Sequence, residues 1–305
     1  MKTTSFMYRG GVICALILLF SACSSGGSDS DVSETGGSNT FCDNLEESAH
    51  IRIEEEITDS GVFIAGRSVG LWVEWASDHE VTQAEYQTIM GTNPSYFSSN
   101  PAEGEIQENR PVEQVSWYDT LVYCNKRSMQ EGFTPCYTIN GKTNPEEWGS
   151  VPSTRNKTWD AVTCNFNANG YRLPTEAEWE YLARGGNTSN SSQTTYSGSN
   201  AIDYVAWYLE NSNNKTHEVK KKEKNAMNLY DMNGNVWELV WDWNWSINTS
   251  TPSTGPSSNT GGRVFRGGGW GQGAEDCRTA FRGYGGLNPS IRDNYLGFRV
   301  VRSAN

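Results

Sequence analysis

Apolar and polar positions alternate most clearly near the two ends of this chain's globular region. Residues 61–75 place Val, Ile, Leu and Trp between small or polar side chains, with the period of two that half-buried strands require. Shorter apolar runs at residues 264–266 and 296–301 predict further strands. The Gly-rich segment between these runs carries scattered aromatic residues, which is typical of a binding loop presented by a rigid framework.

Three helices are predicted from the residues that would begin them. Thr82 and Thr175 each precede a Glu by three positions, and this capping box satisfies free N–H groups of a first helical turn. Ser116 can cap a third helix in the same way. The predicted helices span residues 84–90, 117–130 and 177–184.

Long polar segments separate these elements. They are rich in Ser, Thr, Asn, Gly and Pro, which favour turns over regular structure. The predicted loops span residues 91–109, 140–169, 187–200 and 246–262. Few helices, short strands and many loops indicate an α+β fold. No linker interrupts residues 41–305, so we expect a single domain there.

The N-terminus has the pattern of an export signal. Two basic residues precede an apolar run at residues 11–20, which is too short to span a bilayer. Small residues then lead to Cys23, and this stretch resembles the lipobox of bacterial lipoproteins, with Phe20 where Leu is usual. We expect residues 1–22 to be removed and Cys23 to be lipidated. The alternative is an ordinary secretory signal followed by an incidental cysteine.

Charge and composition favour a position outside the cytoplasm and a partner other than nucleic acid. Residues 23–40 are almost without apolar side chains and predict a flexible tether between the lipid and the domain. The leader carries two basic residues and no acidic ones, so its removal takes the formal charge from −12 to −14. An acidic surface argues against binding nucleic acid. We expect a lipoprotein anchored to a bacterial membrane, at the outer membrane or cell surface.

The cysteines leave their pairing open. Of the seven, one lies in the leader and Cys23 carries the lipid, so five remain. An odd number outside the cytoplasm leaves at least one free thiol. Cys124 and Cys136 can pair, but sequence does not determine connectivity. No two cysteines have the CxxC spacing of a thiolate zinc site.

Six motifs, in this order and spacing, resemble the formylglycine-generating-enzyme (sulfatase-modifying factor) family. The resemblance covers about residues 61–302. It implies a variant of the C-type lectin fold, with a small antiparallel sheet, flanking helices and long loops. It also implies that residues 297–301 pair near residues 62–73. The motifs are EVTQAEY from Glu80, PVEQVSWYD from Pro111, YRLPTEAEWEY from Tyr171, NLYDMNGNVWE from Asn228, RGGGW from Arg266 and LGFR from Leu296.

One of these motifs also predicts a structural calcium ion. Asp231 and Glu238 supply carboxylate oxygens, and Gly234 and Val236 can offer backbone carbonyls, which are the oxygen ligands that Ca²⁺ prefers. The corresponding positions of the family hold calcium, so the resemblance implies the same ligands here. The alternative is that the two carboxylates only cap turns.

The same resemblance raises the question of catalysis. Family oxidases hold copper(I) with two cysteines, two and seven residues after the Trp of the RGGxW motif. Counting from Trp270, the second of these positions is Cys277, but the first is Gln272. A single thiolate does not make the two-sulfur site that Cu(I) favours. We therefore expect no copper and no enzymatic activity, with Cys277 as a small buried side chain. The alternative is a thiol-dependent oxidase acting through Cys277.

The terminal segment also resembles the variable proteins of diversity-generating retroelements, which use the same fold and change their binding residues. This resemblance implies a non-catalytic protein that binds an unknown ligand, expected to be a protein, through residues 270–295. Two alternatives stay open: a family member whose loop simply packs, and an accessory protein of envelope assembly. The expected ligand contacts are Trp270, Gly271, Gln272, Gly273, Asp276, Phe281, Gly283, Tyr284, Leu287, Asp293 and Tyr295.

Overall fold

Small sheets and short helices, joined by long loops, make up the described part of the chain. The computed structural model describes residues 50–52, 61–189, 193–257 and 261–303, all within one compact unit. The predicted leader, the tether and the lipidation site at Cys23 lie outside these residues. Within the described residues, no helix is long and apolar enough to cross a membrane.

The helices confirm the predictions made from their caps. Thr82, Ser116 and Thr175 each accept a hydrogen bond from the third residue of the helix that follows, and all three capping boxes are formed. Two of these helices begin one residue earlier than predicted. The helices are α1 (Gln83–Met90), α2 (Trp117–Gln130), α3 (Lys157–Asp160), α4 (Glu176–Ala183) and α5 (Ile202–Val205), with 3₁₀ turns at Gln107–Asn109, Pro145–Glu147 and Ala274–Cys277.

The strands are short, and the segment at residues 140–169 is not the continuous loop that its polarity predicted. It contains α3 and the second strand of a two-stranded sheet, because Trp148 and Trp159 bury their rings and order the chain around them. The strands are β1 (His50–Arg52), β2 (Ser68–Gly70), β3 (Val73–Ala76), β4 (Tyr137–Thr138), β5 (Thr163–Cys164), β6 (Tyr171–Arg172), β7 (Ala206–Trp207), β8 (Asn233–Gly234), β9 (Trp237–Trp243), β10 (Arg263–Arg266), β11 (Leu296–Gly297) and β12 (Val301–Ser303).

Two three-stranded sheets organise the fold. β12 lies between β3 and β6 and is antiparallel to both, so the C-terminal strand does lie beside an N-terminal one. The predicted register was wrong: Val301 pairs with Ala76, and the pairing begins at Val73 rather than before it. In the second sheet, β9 lies between β10 and β11, antiparallel to the first and parallel to the second.

The core is aromatic and also contains arginine. Trp117, Tyr118, Tyr123 and Tyr137 are buried in the largest apolar cluster, where edge-to-face ring contacts are frequent. Among the largest fully buried side chains are six arginines, at positions 67, 110, 172, 263, 266 and 299. A buried guanidinium requires a carboxylate, an array of carbonyls or an aromatic face, and these partners determine the path of the terminal segment.

Candidate functional site

The terminal segment, residues 267–295, begins and ends on the two sides of one strand. β10 leads into it and pairs with one edge of β9, while β11 leaves it and pairs with the other edge. The two ends of the segment are therefore held about 4.8 Å from β9, the usual spacing of paired strands. Its conformation between these ends depends on contacts made by its own side chains.

Helix α4 holds the first half of the segment through its acidic face. Arg282 makes a two-pronged ion pair with Glu176, at 2.7 Å from Nε to Oε1 and 2.8 Å from Nη2 to Oε2. Arg266 donates from Nη2 to Glu180 at 2.6 Å, and its Nη1 donates to the carbonyl of Phe281 at 2.8 Å. Arg266 and both glutamates are buried, and Arg282 is mostly buried. The hydrogen bonds fix the orientation of each guanidinium, in addition to the attraction between the opposite charges.

Further arginines hold the ends of the segment. The guanidinium of Arg263 lies between the rings of Trp117 and Trp243, at 3.5 and 3.6 Å from their centroids. Arg292 pairs with Asp119 of α2 at 2.7 Å. The backbone of the segment is thereby attached to the sheet, to α2 and to α4.

Three of the predicted contact residues meet around Trp237. The ring of Phe281 lies 6.0 Å from that of Trp237, and the backbone N–H of Trp237 donates to the carbonyl of Tyr295 at 2.8 Å. The backbone N–H of Trp270 donates to the carbonyl of Asn235, also at 2.8 Å, and Asn235 lies two residues before Trp237. The start of β9 therefore brings together residues that are as far as 25 positions apart in the sequence.

Tyr284 is the most exposed aromatic residue of the segment. Its side chain is 81% exposed and rests edge-on against Phe281, with ring centroids 5.1 Å apart. Phe281 itself is half-buried against the core. Leu287 is also half-buried, and its backbone bonds to that of Arg263 in both directions. Tyr284 and the outer part of Phe281 thus form an exposed aromatic surface, and Phe281 attaches this surface to the core.

Trp270 has a neighbour that the sequence did not suggest. Phe97 packs edge-on against it with centroids 5.2 Å apart, and adjoining Tyr96 is 66% exposed. Glu113 holds this loop by accepting the backbone N–H groups of Tyr96 and Phe97. Burial raises the pKa of Glu113 to about 7, with the charge of nearby Asp293 acting in the same direction. The only sequence signal was the Tyr-Phe pair within a segment interpreted as a polar loop.

The glycines of the segment differ in the room around them. A methyl group added at Gly271 or Gly273 would meet no atom within 4 Å, and neither residue has a positive φ. At Gly283 the same group would clash with the ring of Phe265. Gly283 is buried and, unlike Gly271 and Gly273, does not belong to the open surface of the segment. Asp276 lies half-buried in the 3₁₀ turn, next to Cys277.

Cys277 is buried behind the segment. It is 0% exposed and packs in a small cluster with Tyr196, Val205 and Tyr208. Burial raises the pKa of its thiol to about 12, so it stays protonated at physiological pH. Gln272, where a second thiol would be needed, carries an amide oxygen that is buried without a hydrogen-bond partner. This pair of side chains does not fit a copper ion held by two thiolates.

The residues predicted to hold calcium are already engaged with protein groups. Both oxygens of Glu238 bind Arg299, at 2.6 and 2.7 Å, and one also accepts the indole N–H of Trp179. One oxygen of Asp231 accepts the backbone N–H of Lys220, while the other is buried without a partner. Arg299 neutralises the charge of Glu238, so Asp231 is the carboxylate of the pair that still has an unengaged oxygen for a cation.

Calcium at these residues therefore stays a prediction, and we derive no function from it. Gly234 and Val236, whose backbone carbonyl oxygens were predicted as further ligands, have structural reasons for their conformation. A side chain at Gly234 would clash with the carbonyl of Trp207, and the N–H of Val236 donates to Glu80 at 3.0 Å. Calcium retained by the dialysed protein and lost in Asp231→Asn would support the prediction.

Cys277 is expected to be inert in the native protein. With the purified, reduced protein, a maleimide should leave Cys277 unmodified until denaturant is added, because both the thiolate and access to it are suppressed. Labelling of Cys277 in the denatured sample of the same preparation is the internal control. The protein should also retain no Cu(I) and consume no O₂ with a cysteine-containing peptide. Copper retention together with O₂ uptake that Cys277→Ser abolishes would contradict this.

Known proteins match this chain over most of its length or over about half of it. The sequence pattern of the sulfatase-modifying factor enzyme 1-like domain matches residues 65–304. The chain is 37% identical over 292 residues to the chaperone protein LppX of Paenibacillus barcinonensis, covering 88% of this chain and 92% of that one. It is 31% identical over 165 residues to the formylglycine-generating enzyme of Streptomyces coelicolor, covering 48% of this chain and 51% of the enzyme.

Among solved structures, variable protein 1 of Treponema denticola is similar over most of its length. It superimposes with a TM-score of 0.74 at 37% identity, over 85% of this chain and 94% of the other. The α+β fold with small sheets that the sequence predicted is thereby confirmed, as is the resemblance on which that prediction depended.

Proposed function

This chain belongs to the sulfatase-modifying factor family, and on that premise we propose that it is a non-catalytic binding protein whose contact surface lies within residues 270–295. The ligand is a protein, bound outside the cytoplasm by a lipid-anchored form of the chain. Fold alone does not decide between enzyme and binder, because members of one fold differ in their sites. The proposal therefore depends on what the terminal segment can do.

The exposed Tyr284 is the observation that supports binding most directly. Tyr284 lies two residues after Arg282, which is anchored to Glu176. Its large, exposed side chain therefore extends from a fixed backbone. Tyrosine supplies a large contact area at a small cost in conformational entropy, and it is enriched in natural binding surfaces for that reason. Phe281 extends the same aromatic surface inward.

The open glycines support a surface that can change without loss of the fold. Side chains at Gly271 and Gly273 would extend into free space, whereas the arginines around them are engaged with carboxylates. The similarity to variable protein 1 of Treponema denticola supports this interpretation. We propose that the segment is of the diversified type, with Trp270, Gly271, Gln272, Gly273, Asp276, Phe281, Tyr284, Leu287, Asp293 and Tyr295 as the contact set.

The alternative function, a copper-dependent oxidase, requires two thiols that hold the metal, and the described residues provide only one at these positions. The thiol that remains, Cys277, is buried, and Gln272 replaces its partner. The formylglycine-generating enzymes that match do so over about half of this chain or less. A role in envelope assembly would also use a binding surface, so the identity of the captured partner would distinguish it from the diversified binder.

Replacing Tyr284 is expected to weaken ligand binding by about tenfold or more, the usual effect of removing a central aromatic contact. The measurement is photo-cross-linking of the tagged, full-length protein on intact cells of its source, with quantitative mass spectrometry of the partner. Tyr204→Ala is the matched control, because Tyr204 is 59% exposed in α5, outside the segment. Equal capture by wild type, Tyr284→Ala and Tyr204→Ala would contradict the proposal.

The membrane anchor is tested independently of the ligand. In cells fed an alkyne-labelled fatty acid, the wild-type protein should incorporate label and sediment with membranes. Cys23→Ala should lose the label and become soluble, since a thiol at the N-terminus of the mature chain is the acceptor. Label that persists in Cys23→Ala would show that the lipoprotein assignment is wrong.

A further inference from the structure

Two loops from distant parts of the chain meet at the side chain of Trp270. Phe97 packs edge-on against the indole, with ring centroids 5.2 Å apart. The indole N–H donates to the backbone carbonyl of Asn294 at 3.0 Å. Trp270 is half-buried, so these contacts hold its ring in place and leave part of it in contact with solvent.

The same two loops are also joined to each other, through Glu113 and Gln114. The carboxylate of Glu113 accepts the backbone N–H of Tyr96 at 3.0 Å, and the N–H of Gln114 donates to the carbonyl of Asp293 at 2.9 Å. Tyr96 is 66% exposed and lies edge-on to Phe97, with centroids 5.0 Å apart. An exposed aromatic ring and a carboxylate therefore lie next to the indole, both on backbone that hydrogen bonds hold.

The carboxylate of Asp293 is half-buried and makes no ion pair with the residues that the structure describes. One of its oxygens accepts the N–H of the next residue at 2.7 Å. The preceding residue, Arg292, pairs with Asp119 instead. Arg110 lies 5.3 Å from the centroid of the Phe97 ring, but it is fully buried. A carboxylate without a cation of its own, beside aromatic rings, favours a positively charged group.

This part of the surface is open to a ligand. A methyl group added at Gly271 or Gly273, one and three residues after Trp270, would meet no atom within 4 Å. A ligand that contacts the start of the terminal segment therefore reaches the indole without displacing protein atoms.

We propose that Trp270, Asp293 and, from outside the terminal segment, Tyr96 bind a cationic side chain, lysine or arginine, of the protein ligand. This inference rests on the proposed function, and it adds a chemical class of contact and a residue that the terminal segment does not contain. Aromatic faces attract a cation, and the carboxylate supplies the opposite charge. The net charge of the chain, −12, also favours a basic partner.

The test uses three peptides that differ in one side chain: acetyl-Gly-Arg-Gly-amide and its lysine and norleucine counterparts. The full-length protein is labelled with fluorotryptophan, and the fluorine resonance of Trp270 is identified by its loss in Trp270→Phe. The arginine and lysine peptides should shift this resonance in a saturable way, with an affinity that falls as the ionic strength rises. The norleucine peptide should leave it unshifted.

Two variants test the other members of the site. Asp293→Asn and Tyr96→Ala should each weaken binding of the arginine peptide about threefold or more, the usual effect of one partly exposed ion pair or cation–π contact. Asparagine can still accept the neighbouring N–H, and Tyr96 is exposed, so both variants should stay folded. Glu146→Gln is the control, because it removes an exposed carboxylate from the 3₁₀ turn at Pro145–Glu147, and its affinity should be unchanged.

Three results would overturn the proposal. One is an equal shift with the arginine and norleucine peptides, which would show that charge plays no part. Another is a Trp270 resonance that stays unshifted up to the solubility limit of the arginine peptide. The third is capture of the partner on intact cells that Tyr284→Ala loses and Asp293→Asn retains in full, which would leave the proposed function standing. The peptide measurement does not depend on capture, so the two proposals can fail separately.

Discussion

The acidic face of helix α4 is the constraint on which the rest of the structure depends. Glu176, Glu178 and Glu180 are all buried, and each would be strongly destabilising without a cation. Their partners come from distant parts of the chain: Arg282, Arg172 and Arg266, in that order. One helix thereby joins β6, the end of β10 and the middle of the terminal segment, and the three ion pairs together constrain the path of the backbone.

This arrangement separates the residues that maintain the fold from those that are free to contact a ligand. Arg266 and Arg282 are fixed by ion pairs, and Gly268 must stay small because a side chain would clash with Cys277. Gly271 and Gly273, which lie between these points, face open space, and Tyr284, two residues after Arg282, is exposed. A loop with so little regular structure would ordinarily lose binding energy to its own flexibility. The anchored arginines reduce that loss because their ion pairs fix the backbone beside the exposed positions.

The sequence predicted what is local and could not predict what is distant. Thr82, Ser116 and Thr175 identify helices because a capping box is complete within four residues. The placement of β9 between β10 and β11, the contact of Phe97 with Trp270, and the ion pairs of α4 depend on residues far apart in the chain. The same limitation applies at the site, where the packing of Phe265 against Gly283 and the ion pair of Arg299 with Glu238 join residues 18 and 61 positions apart.

The most direct test compares the free energy of unfolding of two variants in the same turn, measured by denaturant titration. Arg282→Ala should lower it by about 3 kcal/mol, because Glu176 would keep a buried charge with its main partner removed. Tyr284→Ala, two residues later, should change it by no more than about 0.5 kcal/mol, because an exposed side chain contributes little to the fold. Similar losses in the two variants would contradict the account, since Tyr284 would then be a packing residue rather than a free contact.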